Sequence, residues 1–414
     1  MNMRALRISA FWVLLALFCA CGSRKESDSA TDSASHEADF TDEAMAWVDS
    51  VYAAMSPEER AAQLLMPAVY ANSEVVSAGS IKHYAEDLRT GGLLLLKGDA
   101  GSAALIADTL EAVSDRHPNS PGFFLAMDAE TGLGMRFSDA PLFPWNSNID
   151  HSVDDQTFFD YGREVGREAR IAGINMILGP VVDINRPDLH VSGIMRRRSL
   201  GSDQQRVALL SVAYALGIES QGVASVPKHF PGHGATSSDS HNTLPEIRIE
   251  RQELLDVDIF PFASAIENGV SAIMVGHLWA PALDSVRRPA SFSPVVIDSI
   301  LRRELGFKGL VLVDAVNMGG ARGFSGADAI IAGADLIIAP ADTGKELHDI
   351  LEALASGRLP ASRLEESCKR ILLQKYIQQI PFYHRSDDFT EDDNIKERLH
   401  MEAPGIIDRL KGNP

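Results

Sequence analysis

Residues 310–314 read Leu310-Val311-Leu312-Val313-Asp314, four consecutive large aliphatics closed by an acid. A strand with one wet face alternates apolar and polar side chains. A run that is apolar at every position belongs to a strand buried on both faces, as in a parallel sheet covered by helices. Seven further strand-like apolar runs, continuous rather than alternating, occur at Leu64–Tyr70, Gly91–Leu96, Phe123–Met127, Ile174–Val182, Val223–Val226, Ala272–Val275 and Leu336–Ala339. Most are separated by helical spacing, such as Val207, Leu210, Tyr214 and Ile218, or Leu364, Cys368, Ile371 and Leu372, the last preceded by a Ser362/Glu365 capping box. Eight buried strands alternating with helices predict an α/β chain, specifically a (β/α)8 TIM-type barrel forming one domain over residues 44–377. A doubly wound open sheet is the rival, but no glycine-rich nucleotide fingerprint follows its first strand.

Chemistry in a barrel gathers at the C-terminal strand ends. Polar residues stand there repeatedly: Asp128 and Glu130, Asp183 and Asn185, Lys228 and His229, His277, and Asp314. A strand-end aspartate is often only a helix cap or an ion-pair partner. For Asp314 that explanation is weak, because the aliphatic run before it points inward.

The fifth run leads into Lys228-His229-Phe230-Pro231-Gly232-His233-Gly234, with Asp239-Ser240-His241 close behind. Pro227 and Pro231 end regular pairing and the glycines allow a sharp bend, so this is a strand entering a polar loop. Three readings compete for it. Histidines four apart suggest a metal, but they share a face only on a helix, which Pro231-Gly232 disfavours. The Asp239–His241 pair suits general acid/base work, since a carboxylate beside an imidazole fixes its tautomer and stabilises its cation. The third reading is a polar loop of hydrogen-bonded histidines.

The chain opens with a short basic segment, Met1 to Arg7, then an apolar Ile8 to Leu17, then Phe18-Cys19-Ala20-Cys21. The apolar core is too short to span a bilayer comfortably, so residues 1–20 read as a lipoprotein-type signal peptide with Cys21 as the lipidated residue. That address implies a bacterial, exported, membrane-anchored protein, periplasmic or on the cell surface. Residues 21–43 are rich in Ser, Asp, Glu and Ala and read as a flexible acidic tether. With Cys21 lipidated, Cys368 is the only thiol left in the mature chain and no intramolecular disulfide can form. A net charge of -19 argues against nucleic acid as a partner. Residues 378–414, acidic at Asp387–Asp393, form a C-terminal tail of unassigned role.

The ordered motifs carry a resemblance. Lys228 to Gly234 with Asp239-Ser240-His241, then Met274-Val275-Gly276-His277-Leu278, Pro289-Ala290-Ser291-Phe292-Ser293 and Gly306-Phe307-Lys308-Gly309 leading into Leu310–Asp314, resemble glycoside hydrolase family 3. More closely, they resemble its single-domain β-N-acetylhexosaminidase branch, from about Gln63 to Lys375. The resemblance implies a retaining exo-glycosidase that needs no cofactor or metal and acts as a monomer on a carbohydrate substrate. It makes Asp314 the nucleophile and His241, oriented by Asp239, the acid/base. It also assigns sugar binding to Asp128, Lys228, His229 and Arg198. Ala129 and Thr131, the stretch His190–Met195 and Val313 depart from the family's pattern; none removes a reacting group, and the first two departures alter pocket walls. The substrates implied are peptidoglycan fragments or chitin- and glycan-derived oligosaccharides. The rivals are a β-glucosidase or β-xylosidase of the same family, a non-catalytic sugar-binding lipoprotein, and a metal-dependent hydrolase.

Overall fold

A computed structural model describes residues 30–72, 79–117, 119–187, 189, 193–236, 240, 243–385 and 394–413, with the backbone alone for 30–41 and 193. The signal peptide, Cys21 and the start of the tether lie outside the described residues. From Ala30 the chain is helical to Ala54. The tether expected to be flexible over 21–43 is therefore helix in its second half, where alanines and acids carry on from a packed segment. That packed part buries Ala44, Val48 and Val51, and Trp47 meets Tyr376 at 5.3 Å between ring centroids. Among the described residues no helix is long and apolar enough to cross a membrane.

The described residues form ten parallel strands, nine on the eight runs and β7 in the stretch read as a loop after the fifth: β1 (Leu65–Met66), β2 (Ala68–Ala71), β3 (Gly92–Gly98), β4 (Phe124–Met127), β5 (Met176–Ile177), β6 (Ala224–Ser225), β7 (Lys228–Phe230), β8 (Ala272–Val275), β9 (Leu310–Val313) and β10 (Leu336–Ile338). They pair in the orders β1-β10-β9-β8-β7 and β2-β3-β4-β5-β6. The first run is divided at Pro67, and beyond the end of the fifth, past Pro227, the chain re-enters the sheet as β7. A proline lacks the amide donor, so the ladder breaks on one side of the strand only. The carbonyls still work: Pro67 accepts from the Leu94 amide at 2.9 Å and Pro227 from the Met274 amide at 3.0 Å. At each of the two prolines the chain thus passes from a strand of one half-sheet to a strand of the other, and the eight runs follow one another around the barrel.

Both faces of the strands are buried, and the alternation sorts them. Leu94, Phe124, Ala126 and Met176 join the cluster holding the strands of the opposite half and so face the barrel interior. Leu93, Leu95, Leu125, Met127 and Ile177 pack instead with residues of the helices Ala100–Asp115, Asp155–Ile171 and Gln204–Glu219. This period-two partition explains why the runs are almost wholly apolar; the exceptions, Asn175 and Ser225, are hydrogen-bonded, to the Leu125 amide and Phe123 carbonyl and to Glu219.

The helix Ala361–Ile377 begins earlier than the Ser362/Glu365 capping box implied. Its N-cap is Pro360, with no side-chain cap, so Ser362 lies inside the first turn. Proline's fixed φ favours a helix start without a capping hydroxyl. The tail packs on the barrel: Leu399, Ala403, Ile406 and Leu410 are buried in the second cluster, and Arg385 forks onto Asp108 at 2.8 and 2.7 Å. Residues 386–393 lie outside the described residues.

Candidate active site

Asp128 follows β4, Asp183 follows β5, Lys228 and His229 lie in β7, His277 follows β8 and Asp314 follows β9, so all stand at one end of the barrel. Two neighbours in a regular strand point to opposite faces, yet Lys228 and His229 both reach this end. The reason is a bulge: β7 advances two residues, Lys228 to Phe230, while β8 advances one, Met274 to Val275. The extra residue, His229, is re-aimed. Close packing fixes the loop beyond, since a Cβ on Gly234 would fall 1.8 Å from the Ile184 carbonyl oxygen.

The polar floor is one connected network. Lys228 Nζ donates to Asp128 Oδ1 at 2.6 Å and lies 2.9 Å from Glu130 Oε1. Arg198, at the end of the short helix Gly193–Arg198, grips Glu130 through Nε and Nη2, each at 2.8 Å. Its Nη2 is also 3.1 Å from His229 Nε2, and His229 Nδ1 is 2.8 Å from Asp183 Oδ2. A guanidinium cannot accept, so in the neutral ring Nε2 accepts and Nδ1–H donates to Asp183. Asp183 Oδ1 takes the His233 amide at 2.6 Å. One buried aspartate thereby orients His229 and anchors the start of the next loop.

Electrostatics keep these groups charged. Burial would raise the Glu130 carboxyl, but Arg198 and Lys228 hold it far below the usual range. Burial would likewise deprotonate Lys228, and Asp128 with Glu130 raise it instead. Asp314 follows the same logic: desolvation pushes its carboxyl up, while His229, His277, the Ala315 amide and Lys228 outweigh that and hold it low. Its Oδ1 accepts from the Ala315 amide at 2.8 Å, which orients the carboxylate. Beside it His277 is held by Ser291 Oγ at 2.6 Å and the Ala315 carbonyl at 3.1 Å, and stacks on Phe292.

Depressed acids alone do not locate the site. Asp335, before β10, is fully buried and held low against desolvation by Arg302, Arg363 and Arg370. It stands at the N-terminal end of its strand, where buried charge serves packing.

All four expected sugar-binding residues, Asp128, Lys228, His229 and Arg198, meet in this network, and Asp314 stands beside it. Asp239 and His241 lie outside the described residues; Ser240 between them is described and buried. Two members were missed as site residues. Glu130 was noted only as a strand-end acid, although it is the group that joins Arg198 to Lys228. Arg136, whose Nη2 meets Asp128 Oδ2 at 2.9 Å, gave no signal, being one arginine in a loop.

Comparison with known proteins gives the family. Residues 56–373 match the family described as the glycosyl hydrolase family 3 N terminal domain, and the chain belongs to that family. It is a glycoside hydrolase on a TIM-barrel fold. A beta-hexosaminidase of Neisseria meningitidis serogroup C is 31% identical over 248 residues, covering 58% of this chain and 67% of that one. A beta-N-acetylglucosaminidase/beta-glucosidase of Cellulomonas fimi is 28% identical over 349 residues, 81% of this chain and 60% of its own length. The solved structure of a family 3 beta-N-acetylglucosaminidase from Paenibacillus sp. superposes with a TM-score of 0.77 at 27% identity, covering 86% of this chain and 68% of that one.

Proposed function

We propose that this chain is a retaining exo-β-N-acetylhexosaminidase that removes terminal β-linked N-acetylglucosamine from peptidoglycan fragments or from chitin- and glycan-derived oligosaccharides. The observation that carries the reading is the pairing of an ionised, amide-oriented Asp314 with a charged floor of sugar-hydroxyl ligands at the same barrel mouth. Asp314 Oδ2 attacks the anomeric carbon as the glycosidic C–O bond breaks, and the His241 imidazolium, oriented by Asp239, gives its proton to the leaving oxygen. Water then attacks the glycosyl-aspartate, His241 takes its proton, and Asp314 leaves. Lys228, Asp128, His229, Arg198 and Arg136 hold the sugar ring while its charge changes.

Release of nitrophenol from an aryl N-acetyl-β-glucosaminide, measured beside the β-glucoside and β-xyloside, tests this. The N-acetyl sugar is the substrate turned over, and Asp314→Asn lowers kcat by at least about a thousandfold. Turnover of the glucoside instead, or an Asp314→Asn enzyme as active as the wild type, would sink the reading.

Export and lipid attachment at Cys21 belong to the same proposal. Metabolic labelling with palmitate is expected to mark the wild-type chain and not Cys21→Ser. Size-exclusion chromatography of the soluble domain is expected to give a monomer.

A further inference from the structure

The stretches Met274-Val275-Gly276-His277-Leu278 and Pro289-Ala290-Ser291-Phe292-Ser293 give no group to the charged floor, yet they meet beside Asp314. His277 and Ser291 are both fully buried. Ser291 Oγ lies 2.6 Å from His277 Nδ1, and His277 Nε2 lies 3.1 Å from the Ala315 carbonyl oxygen. A carbonyl only accepts, so Nε2 carries the hydrogen. In the neutral ring Nδ1 then accepts, and the Ser291 hydroxyl donates to it. With the opposite tautomer Nε2 would turn a lone pair onto the carbonyl oxygen and repel it. Burial pushes the His277 imidazole below its ordinary value although Asp314 beside it pulls the other way, so the ring is neutral near neutral pH.

Packing holds the ring in this pose. It stacks on Phe292 at 5.7 Å with 9° between the planes, and Phe292 stacks in turn on Phe324 at 4.6 Å between centroids. Gly320 closes in from the loop after the nucleophile, where a Cβ would lie 2.9 Å from His277 Cβ. What the ring holds is the residue that follows Asp314. Two residues before His277, the Val275 carbonyl takes the Asp314 amide at 3.0 Å. His277 donates to the Ala315 carbonyl, which also accepts the Met318 amide at 3.0 Å, and the Ala315 amide donates to Asp314 Oδ1 at 2.8 Å. The exit of β8 therefore grips Asp314 twice, at its own amide through the strand ladder and at its carboxylate through Ala315.

We infer that Ser291 and His277 are positioning residues for the nucleophile: the serine fixes the histidine's tautomer, and the histidine fixes the turn at Ala315 whose amide aims the Asp314 carboxylate. This rests on the reading of Asp314 as the nucleophile. Among the described residues neither side chain bonds to Lys228, Asp128, His229 or Arg198, so their effect falls on the reaction and not on sugar affinity. A displacement of about 1 Å at an attacking atom costs on the order of a hundredfold in rate.

The test is run on whichever nitrophenyl glycoside, the N-acetyl-β-glucosaminide, β-glucoside or β-xyloside, the wild type turns over fastest, so it does not depend on the sugar preference. Ser291→Ala removes a single oxygen and is expected to lower kcat/KM on the order of ten- to a hundredfold. Inhibition by the free sugar should stay within about twofold of wild type, because the floor is untouched. Ser291→Cys, which keeps a weaker donor of similar size, should fall between the two. His277→Gln, which keeps a donor toward Ala315, should lose less than His277→Ala. The acid limb of kcat/KM is a readout that a merely structural role would not move. Burial raises the Asp314 carboxyl while His229, His277, the Ala315 amide and Lys228 hold it low, so loosening that amide should move the limb up by about half a unit to one unit. A Ser291→Ala enzyme within about twofold of wild type, an unmoved acid limb, or an equal fall in free-sugar affinity overturns the positioning role, while the nucleophile reading stands as long as Asp314→Asn is inactive. If Asp314→Asn is as active as wild type, the nucleophile reading fails and the inference falls with it.

Discussion

Arg198 forks onto Glu130 through two parallel bonds of 2.8 Å, inside a site where Glu130 is 8% exposed. Removing one partner of such a pair strands the other charge away from water. Arg198→Met is expected to cost roughly 3–5 kcal/mol in denaturant unfolding, and Arg198→Lys, which keeps charge but not the fork, roughly 1–2 kcal/mol. The exposed Arg196→Met serves as control and should stay within about 0.5 kcal/mol. Sugar affinity should fall in the same order, because Arg198 also fixes the His229 ring.

Lys375 is fully buried, donating to Gln63 Oε1 and to the Gly122 carbonyl at 2.8 Å each. Burial pushes it down to about 7 from an ordinary 10.5. Above both values it is neutral in either state, and below both it is charged in either state. In the window between, the unfolded chain holds a proton the folded chain lacks, so the lysine makes stability rise with pH. Unfolding curves for wild type and Lys375→Met across this window should differ by an amount that grows in favour of wild type toward pH 10. A difference independent of pH would contradict the buried neutral amine.

Chelators should leave turnover unchanged. Both ring nitrogens of His229 and of His233 are engaged by protein groups. Among the described residues, no three His, Cys, Asp or Glu side chains form a metal-binding group. Loss of activity in chelator, restored by a divalent ion, would revive the metal reading of this loop.

The C-terminal segment braces the loop after β4. His400 Nε2 meets the Asp139 carbonyl at 3.2 Å, the Asp150 amide donates to the Leu410 carbonyl at 2.9 Å, and Arg167 caps the helix Ile395–Leu399 through the Arg398 carbonyl at 3.0 Å. Deleting residues 394–414 uncovers apolar surface beneath Leu399, Ile406 and Leu410 and is expected to lower Tm by about 5–10 °C. KM should rise more than kcat falls, since Asp128 and Arg136 lie on the braced loop. An unchanged KM in the truncated protein would separate the tail from the site.

Much of this molecule was legible in one dimension because barrel strands report their own environment. A strand buried on both faces must be apolar throughout, so Leu310 to Val313 announced itself, and the acid after it had to stand at the barrel mouth. Lys228, His229, Asp128 and Asp314 were found by that rule together with their motifs. What the chain could not disclose were pairings across long separations. Nothing local says that Lys228 will meet Asp128 one hundred residues away, that Glu130 will bridge it to Arg198, or that Arg136 will turn back onto Asp128. The bulge at His229, the passage between half-sheets at Pro67 and Pro227 and the hold of His277 on the Ala315 carbonyl likewise arise only when neighbouring strands set the register. Sequence fixes which faces are dry and where each strand ends, through periodicity. Which charges neutralise one another in the dry interior depends on distances that exist only once the barrel has closed.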